Sequence, residues 1–267
     1  MTAPSSFPNG FSHGVSIRGL PILNSYPGNV YYVSSVTGSN GNRGSFERPF
    51  ASLAYVALAA NLKATANKGD IVALMPGHTE AVTSAGAVTI DIAGLTIVSL
   101  GKGDLRPRFT FSGATTASIA ITAANVSFEG AELVCSLEDM ANPLDVTGDG
   151  CYIDLRGRDA SGTAEAARYI LMTGVDRGVV KLKHNGVTGG NGCVNSIRLV
   201  GCTAIRIEPD FYGKASTGVV EFHTTASTNV NVRGYMYNSG TTDFSKAVVD
   251  TVGGSTYSVE YIDGAAG

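Results

Sequence analysis

Between residues 88 and 237 the chain is written almost wholly in short alternating runs. "VTIDI", "LTIVSL", "RFTF", "SIAI", "NVSFEG", "LDV", "CYIDL", "VVKLKH", "SIRLVG", "AIRIE", "VVEF" and "NVNVRG" each alternate apolar and polar residues, and Gly, Asn or a Thr-Ser cluster punctuates each one. Alternation sends successive side chains to opposite faces, so every run predicts a short, half-buried strand. Glycine closes the copies at Gly101, Gly130, Gly157, Gly201 and Gly234. A recurrence of roughly twenty to fifty residues marks a stacked solenoid, in which each repeat buries its apolar face against its neighbours.

The pattern predicts coils of two or three strands, each strand pairing in parallel with its counterpart one coil away. Val126, Phe128, Ile153, Leu155, Ile197, Leu199, Val230 and Val232 fall on inward positions; Ser127, Glu129, Asp154, Arg198, Asn231 and Arg233 fall outward. Glycine, which reaches torsions that other residues resist, is the expected corner residue.

The flanks break this pattern. Residues 1–29 hold Pro4, Pro8, Pro21 and Pro27, which break helices and predict an extended arm. Its Phe7, Phe11, Ile17, Arg18, Leu20, Pro21 and Ile22 are candidate partner-binding residues, too apolar as a set for a merely solvated tail. Residues 30–78 read as a strand–helix–strand cap. The helix follows Pro49, with Ser52 as N-cap and Leu53, Val56, Ala57 and Ala60 at helical spacing, and Gly69 ends it. Residues 79–240 form the predicted β-helix, and residues 241–267 a closing hairpin around Gly253 and Gly254.

Composition narrows the function. Of 267 residues 34 are glycine and only 15% are charged, so Ser, Thr, Asn and Gly build much of the surface. With a net charge of −3 and no cluster of Lys and Arg, nucleic acid is not an expected partner. No apolar run is long enough for a membrane span, and the first residues lack a secretory pattern. Cys135, Cys151, Cys193 and Cys202 match no zinc or redox spacing and are expected as packed, reduced thiols.

The segment "YYVSSVTGSNGNRGSFERPFASLAYVALAANLKATANKGDIVALMPGHTEAV" resembles the opening of pectin-lyase-like right-handed parallel β-helix proteins, through Tyr31 to Val33, Pro49 to Leu53 and Gly69 to Gly77. The resemblance implies an all-β, right-handed parallel β-helix with an N-terminal extended arm and one capping α-helix. That superfamily includes polysaccharide lyases and hydrolases, phage tailspikes and phage virion proteins without enzymatic role. Ahead of it, "FPNGFSHGVSIRGLPILNSYPG" looks like the arm of phage structural proteins. Together they imply a homotrimeric virion protein, a decoration or cement protein on the major capsid protein lattice. The alternatives are a tail component that binds host polysaccharide and a β-helix polysaccharide lyase or hydrolase.

The candidate chemistry is sparse. Two carboxylates facing each other across a sugar bond would serve a glycosidase. The candidates are Glu129 with Glu132, Asp154 with Asp159, Glu208 with Asp210 inside "RIEPDFYG", and Glu221. "DVTGDG" lacks the oxygen ligands of a calcium loop. His13, His78, His184 and His223 are isolated in sequence, there is no Trp, and the tyrosines are scattered. The reading is a structural protein and not an enzyme, with no catalytic residue, metal or cofactor expected.

Overall fold

The computed structural model describes residues 15–17, 20–22, 28–61, 66–161, 164–186, 192–238 and 247–263. Its body is a parallel β-helix built from two sheets. The long sheet runs through Val30–Val33, Ile71–Leu74, Thr96–Ser99, Ser127–Cys135, Tyr152–Asp159, Val179–Asn185, Arg206–Gly213, Val230–Asn238 and Tyr257–Asp263. The shorter sheet stacks Val88–Ile90, Ile119–Ile121, Leu144–Val146, Ile170–Thr173, Ile197–Val200, Val220–Phe222 and Val248–Asp250. Every pairing within these stacks is parallel, as when Phe128 meets Ile153 and Ile197 meets Val220.

The alternation read from the sequence becomes columns. Ile97, Phe128, Ile153, Val180, Ile207 and Val232 lie one above another in the core, all with no exposed surface. Across the interior, Ile121, Val146, Met172, Leu199 and Phe222 form the facing column. Each coil thus buries its apolar side only because another coil lies next to it.

The corner is marked before the strand rather than after it. Asn67, Gly94, Asn125, Gly150, Arg177, Ala204 and Asn229 all have φ between 55° and 73° and form one column. Their amides bond to the next coil: Asn125 N donates to Asp149 O at 2.7 Å, Gly150 N to Asp176 O at 2.8 Å, and Arg177 N to Thr203 O at 2.9 Å. Asparagine tolerates this left-handed conformation because its short polar side chain bonds locally. This is why both "NVSFEG" and "NVNVRG" begin with it.

The closing glycines, expected as one corner, serve different ends. Gly130 has φ 81° at a register shift between Glu129 and Glu132. A Cβ on Gly157 would lie 2.7 Å from the Tyr169 ring, and one on Gly234 only 2.0 Å from the Pro209 carbonyl oxygen. Gly201 follows a strand of the other sheet, Ile197–Val200. The apparent spacing of glycines therefore mixed two sheets.

The ends also depart from expectation. The helix is one turn, Leu53–Val56; Ser52 caps it as predicted, accepting from Tyr55 N at 3.3 Å. It stops because the Asp91 carboxylate takes the Ala59 amide at 2.7 Å, outside helical pairing. Residues 44–50 cover the outer edge of the first strand: Tyr32 N donates to Gly44 O and Phe50 N to Tyr32 O, each at 2.8 Å. The closing hairpin is not formed. Val248–Asp250 and Tyr257–Asp263 do not pair with each other; each adds one more rung, to Val220–Phe222 and to Val230–Asn238. Gly253 and Gly254 turn the chain between the sheets, with the Asp250 carboxylate accepting from the amides of Val252, Gly253 and Ser255. In the arm, Val15–Ile17 and Leu20–Ile22 form an antiparallel ladder that includes Ile17, Leu20, Pro21 and Ile22; Phe7, Phe11 and Arg18 lie outside the described residues.

Candidate functional site

The outward face of the long sheet holds most of the acids singled out from the sequence, arranged by rung register. One column runs Val98, Glu129, Asp154, Lys181, Glu208. The next runs Arg108, Glu132, Arg156, Lys183, Asp210, Tyr235. Glu129 is thus the direct neighbour of Asp154, one coil away, whereas Glu132 is separated from it by the Gly130 bulge. Asp154 and Asp159 point to opposite faces of one strand, and Asp159 is buried. "RIEPDFYG" is itself a strand, with Phe211 in the core and Glu208 and Asp210 outward.

Most charges on this face are paired along the columns. Lys183 Nζ bonds Asp210 Oδ2 at 2.6 Å, and Lys181 Nζ and Arg206 bond the two oxygens of Glu208 at 3.2 Å and 2.6 Å. Glu132 receives Arg108 at 2.9 Å and Arg158 at 3.5 Å. Two carboxylates stand apart from this pairing. Glu129 Oε1 accepts the Ser127 hydroxyl at 2.6 Å. Asp154 is half-buried; burial pushes its carboxyl above the usual range, Glu129 and Glu208 add to the rise, and Lys181 and Arg106 oppose it.

Three of the tyrosines scattered in sequence, Tyr212, Tyr235 and Tyr237, share this face as well. Tyr212 and Tyr237 stack with centroids 4.9 Å apart and planes within 10°, and Tyr235 sits two residues from Tyr237 on the same face. Only the coil register brings them together, so spacing along the chain gave no signal.

The core holds a polar network that sequence reasoning missed. Tyr169 donates its hydroxyl to Asp159 Oδ1 at 2.6 Å, His184 Nε2 lies 3.5 Å from Asp159 Oδ2, and His184 Nδ1 meets Ser196 Oγ at 2.9 Å. This has the order of an acid–imidazole–hydroxyl relay, but Ser196 and His184 are each only 1% exposed, so no substrate reaches the hydroxyl. The network fills an interior corner where Gly157 makes room for Tyr169. Burial pushes the neighbouring Cys135 thiol well up, and all four cysteines are free and buried.

The remaining candidates resolve into structural roles. Glu221 is buried under Asn195, Arg198 and His223, with Arg198 and Asn195 bonding the same oxygen at 2.7 Å and 2.6 Å. Asp149 of "DVTGDG" accepts the Asp176 amide at 2.8 Å in a turn. His78 accepts the Ser35 amide at 3.0 Å on Nδ1, which leaves Nε2 to donate to Glu80 at 3.2 Å. His13 lies outside the described residues. Among the described residues, no group of three or more His, Cys, Asp or Glu is placed to hold a metal ion.

No protein-family description matches the sequence, and a search of curated proteins finds no match. Solved structures do share the fold. A rhamnogalacturonan lyase is 13% identical with a TM-score of 0.49, covering 79% of this chain and 69% of its own. The pectate lyase Pel9A is 15% identical with a TM-score of 0.41, covering 88% and 77%. A GH136 lacto-N-biosidase from Eubacterium ramulus is 10% identical with a TM-score of 0.33, covering 88% and 68%. The strand pairing itself makes this chain a parallel β-helix. The expectation of a non-enzyme is corrected by these neighbours, all of which are named as enzymes. At 10–15% identity the likeness speaks to fold alone, so the chemistry must be argued from the residues.

Proposed function

We propose that the outward face of the long sheet binds a polysaccharide and that Glu129 and Asp154 cleave its glycosidic bond. The observation that carries this reading is the register pairing of Glu129 with Asp154 on adjacent coils in unlike environments. Neighbouring strands lie about 4.8 Å apart, close to the ~5–5.5 Å separation of the two carboxyls in a retaining glycosidase. The unlike environments assign the roles. Asp154, whose carboxyl burial pushes up, is the better suited of the two to give a proton to the leaving oxygen. Glu129, held as an acceptor by the Ser127 hydroxyl, attacks the anomeric carbon. Water then takes the sugar from Glu129, giving its proton to Asp154, so that one water is consumed per bond broken.

The test is release of reducing ends from a panel of polysaccharides by the full chain and by Glu129→Gln and Asp154→Asn, with melting curves to verify folding. Each substitution should lower the rate by about a hundredfold or more. No release by the unaltered protein, or full activity in both variants, sinks the proposal.

A second reading rests on the apolar residues of the N-terminal arm, Phe7, Phe11, Ile17, Leu20 and Ile22. They suit a homotrimeric virion protein docked on the major capsid protein, or a tail component. Quantitative mass spectrometry of phage particles tests it: copies comparable with the shell protein favour decoration, a few per particle favour the tail, and none rejects both.

A further inference from the structure

The outward face of the long sheet changes character along its length. In the first three rungs Val33, Val72, Leu74 and Ile97 point inward and have no exposed surface. The alternate positions form two outward columns, Val30, Ile71, Thr96 and Tyr32, Ala73, Val98. The second column continues as Glu129, Asp154, Lys181 and Glu208, so its charges start only at the fourth rung. Phe46 packs edge-on against Tyr32, with ring centroids 5.4 Å apart, and is 59% exposed. Val30 and Leu100 are each 48% exposed. A parallel sheet is rarely left with an apolar face in water, and a patch of this kind marks a surface that something covers.

The N-terminal ladder has a matching face. Its register pairs Val15 with Ile22, Ser16 with Pro21 and Ile17 with Leu20. Paired residues share a face and successive residues alternate. Val15, Ile17, Leu20 and Ile22 therefore fall together on one face, with Ser16 and Pro21 on the other. The ladder pairs with no strand of the two stacks, and an isolated two-stranded hairpin is marginally stable at best in water. Its tether is short. Residues 23–27 lead to Gly28, which lies so close to the foot of the second rung that a Cβ there would meet the Gly69 carbonyl oxygen at 2.1 Å. Five extended residues span at most about 17 Å, whereas the patch is two strand spacings, roughly 10 Å, deep. The hairpin is thus held at this end of the solenoid, within reach of the bare face.

We propose that the hairpin of residues 15–22 docks its apolar face on the outward face of the first three rungs of its own chain. Val30, Phe46, Val98 and Leu100 are the surface it covers. The inference depends on neither reading above, and it leaves Phe7 and Phe11 as the apolar residues of the arm for an outside partner.

Hydrogen exchange of the full chain tests it, read on the amides of residues 15–22, with Tyr152–Asp159 reporting on the body. At a concentration where sedimentation shows a monomer, the hairpin amides should exchange at least about tenfold more slowly than in a peptide of residues 1–27, the effect of burying one Leu or more. Leu20→Lys, which leaves the sequence of the body intact, should abolish that protection without changing Tyr152–Asp159. Val98→Lys, on the opposing surface, should do the same; if it speeds exchange in Tyr152–Asp159 as well, Leu20→Lys alone decides. Hairpin exchange at the rate of the peptide, or protection that survives Leu20→Lys, overturns the proposal. Protection found only where the chain sediments as an oligomer puts the hairpin on a second copy and overturns it too.

Discussion

Tyr169 and Asp159 meet inside the solenoid, hydroxyl to carboxylate at 2.6 Å, in a core filled mainly by aliphatic and aromatic columns. Without the hydroxyl, Asp159 Oδ1 keeps among the described residues only the long contact from the Ala166 amide, at 3.4 Å. Tyr169→Phe should cost about 1–3 kcal/mol, the penalty for an unsatisfied buried partner. Urea unfolding measures it, and an unchanged midpoint would show that the bond is not formed in solution.

Gly157 is the floor on which the Tyr169 ring rests, and a methyl group there would lie 2.7 Å from two ring carbons. The ring is fully buried and has nowhere to swing. Gly157→Ala is therefore expected to destabilise by roughly 1–3 kcal/mol, as overpacking does. Thermal melting of the variant is the check; a melt at the parental temperature would mean that the ring moves freely.

Ala204 and Arg177 hold left-handed torsions, φ 57° and 59°, in a column that Asn and Gly otherwise favour. A left-handed residue with a Cβ costs about 1–2 kcal/mol. Ala204→Gly should recover part of this and raise the melting temperature by a few degrees. A lower melting temperature would instead show that the entropy of the added glycine in the unfolded chain dominates.

Glu165 gives a pH signature. Its carboxyl is raised by burial first, then by Asp159, Asp139 and Glu138. A carboxyl raised on folding binds its proton more tightly in the native state. Its contribution is therefore intact below the ordinary glutamate value of ~4.3 and is lost as pH climbs through the raised value. Glu165→Gln should match the parent near that lower limit and exceed it in stability at neutral pH. Denaturation at the two pH values tests this, and an identical difference at both would refute it.

Much of the architecture was legible because the solenoid writes its inside and outside into alternation, which Phe128, Ile153 and Ile207 obey residue by residue. The corners were misread because Gly130, Gly157, Gly201 and Gly234 look alike in sequence while answering to a bulge, a tyrosine ring, a different sheet and a proline carbonyl. The end of the chain was misread because two alternating runs around Gly253-Gly254 are equally the pattern of a hairpin and of two successive rungs. The candidate site was half legible. Glu129 and Asp154 stood out as outward acids, but their pairing and the meeting of Tyr169, Asp159, His184 and Ser196 depend on register between coils, which no local pattern records.

The rung register also sets the order in which this chain assembles. Each strand of the long sheet meets partners one coil before and one coil after, as Tyr152 meets Ser127 and Val179, so ordering spreads from neighbour to neighbour. A coil formed in isolation has no face to bury, and the slow event is the first docking of two coils, after which each addition gains a prepared template. Tyr257–Asp263 has a rung on one side only among the described residues. Amide exchange should therefore be fastest in that strand and slow progressively towards Tyr152–Asp159, tracing the path along which the molecule opens and closes.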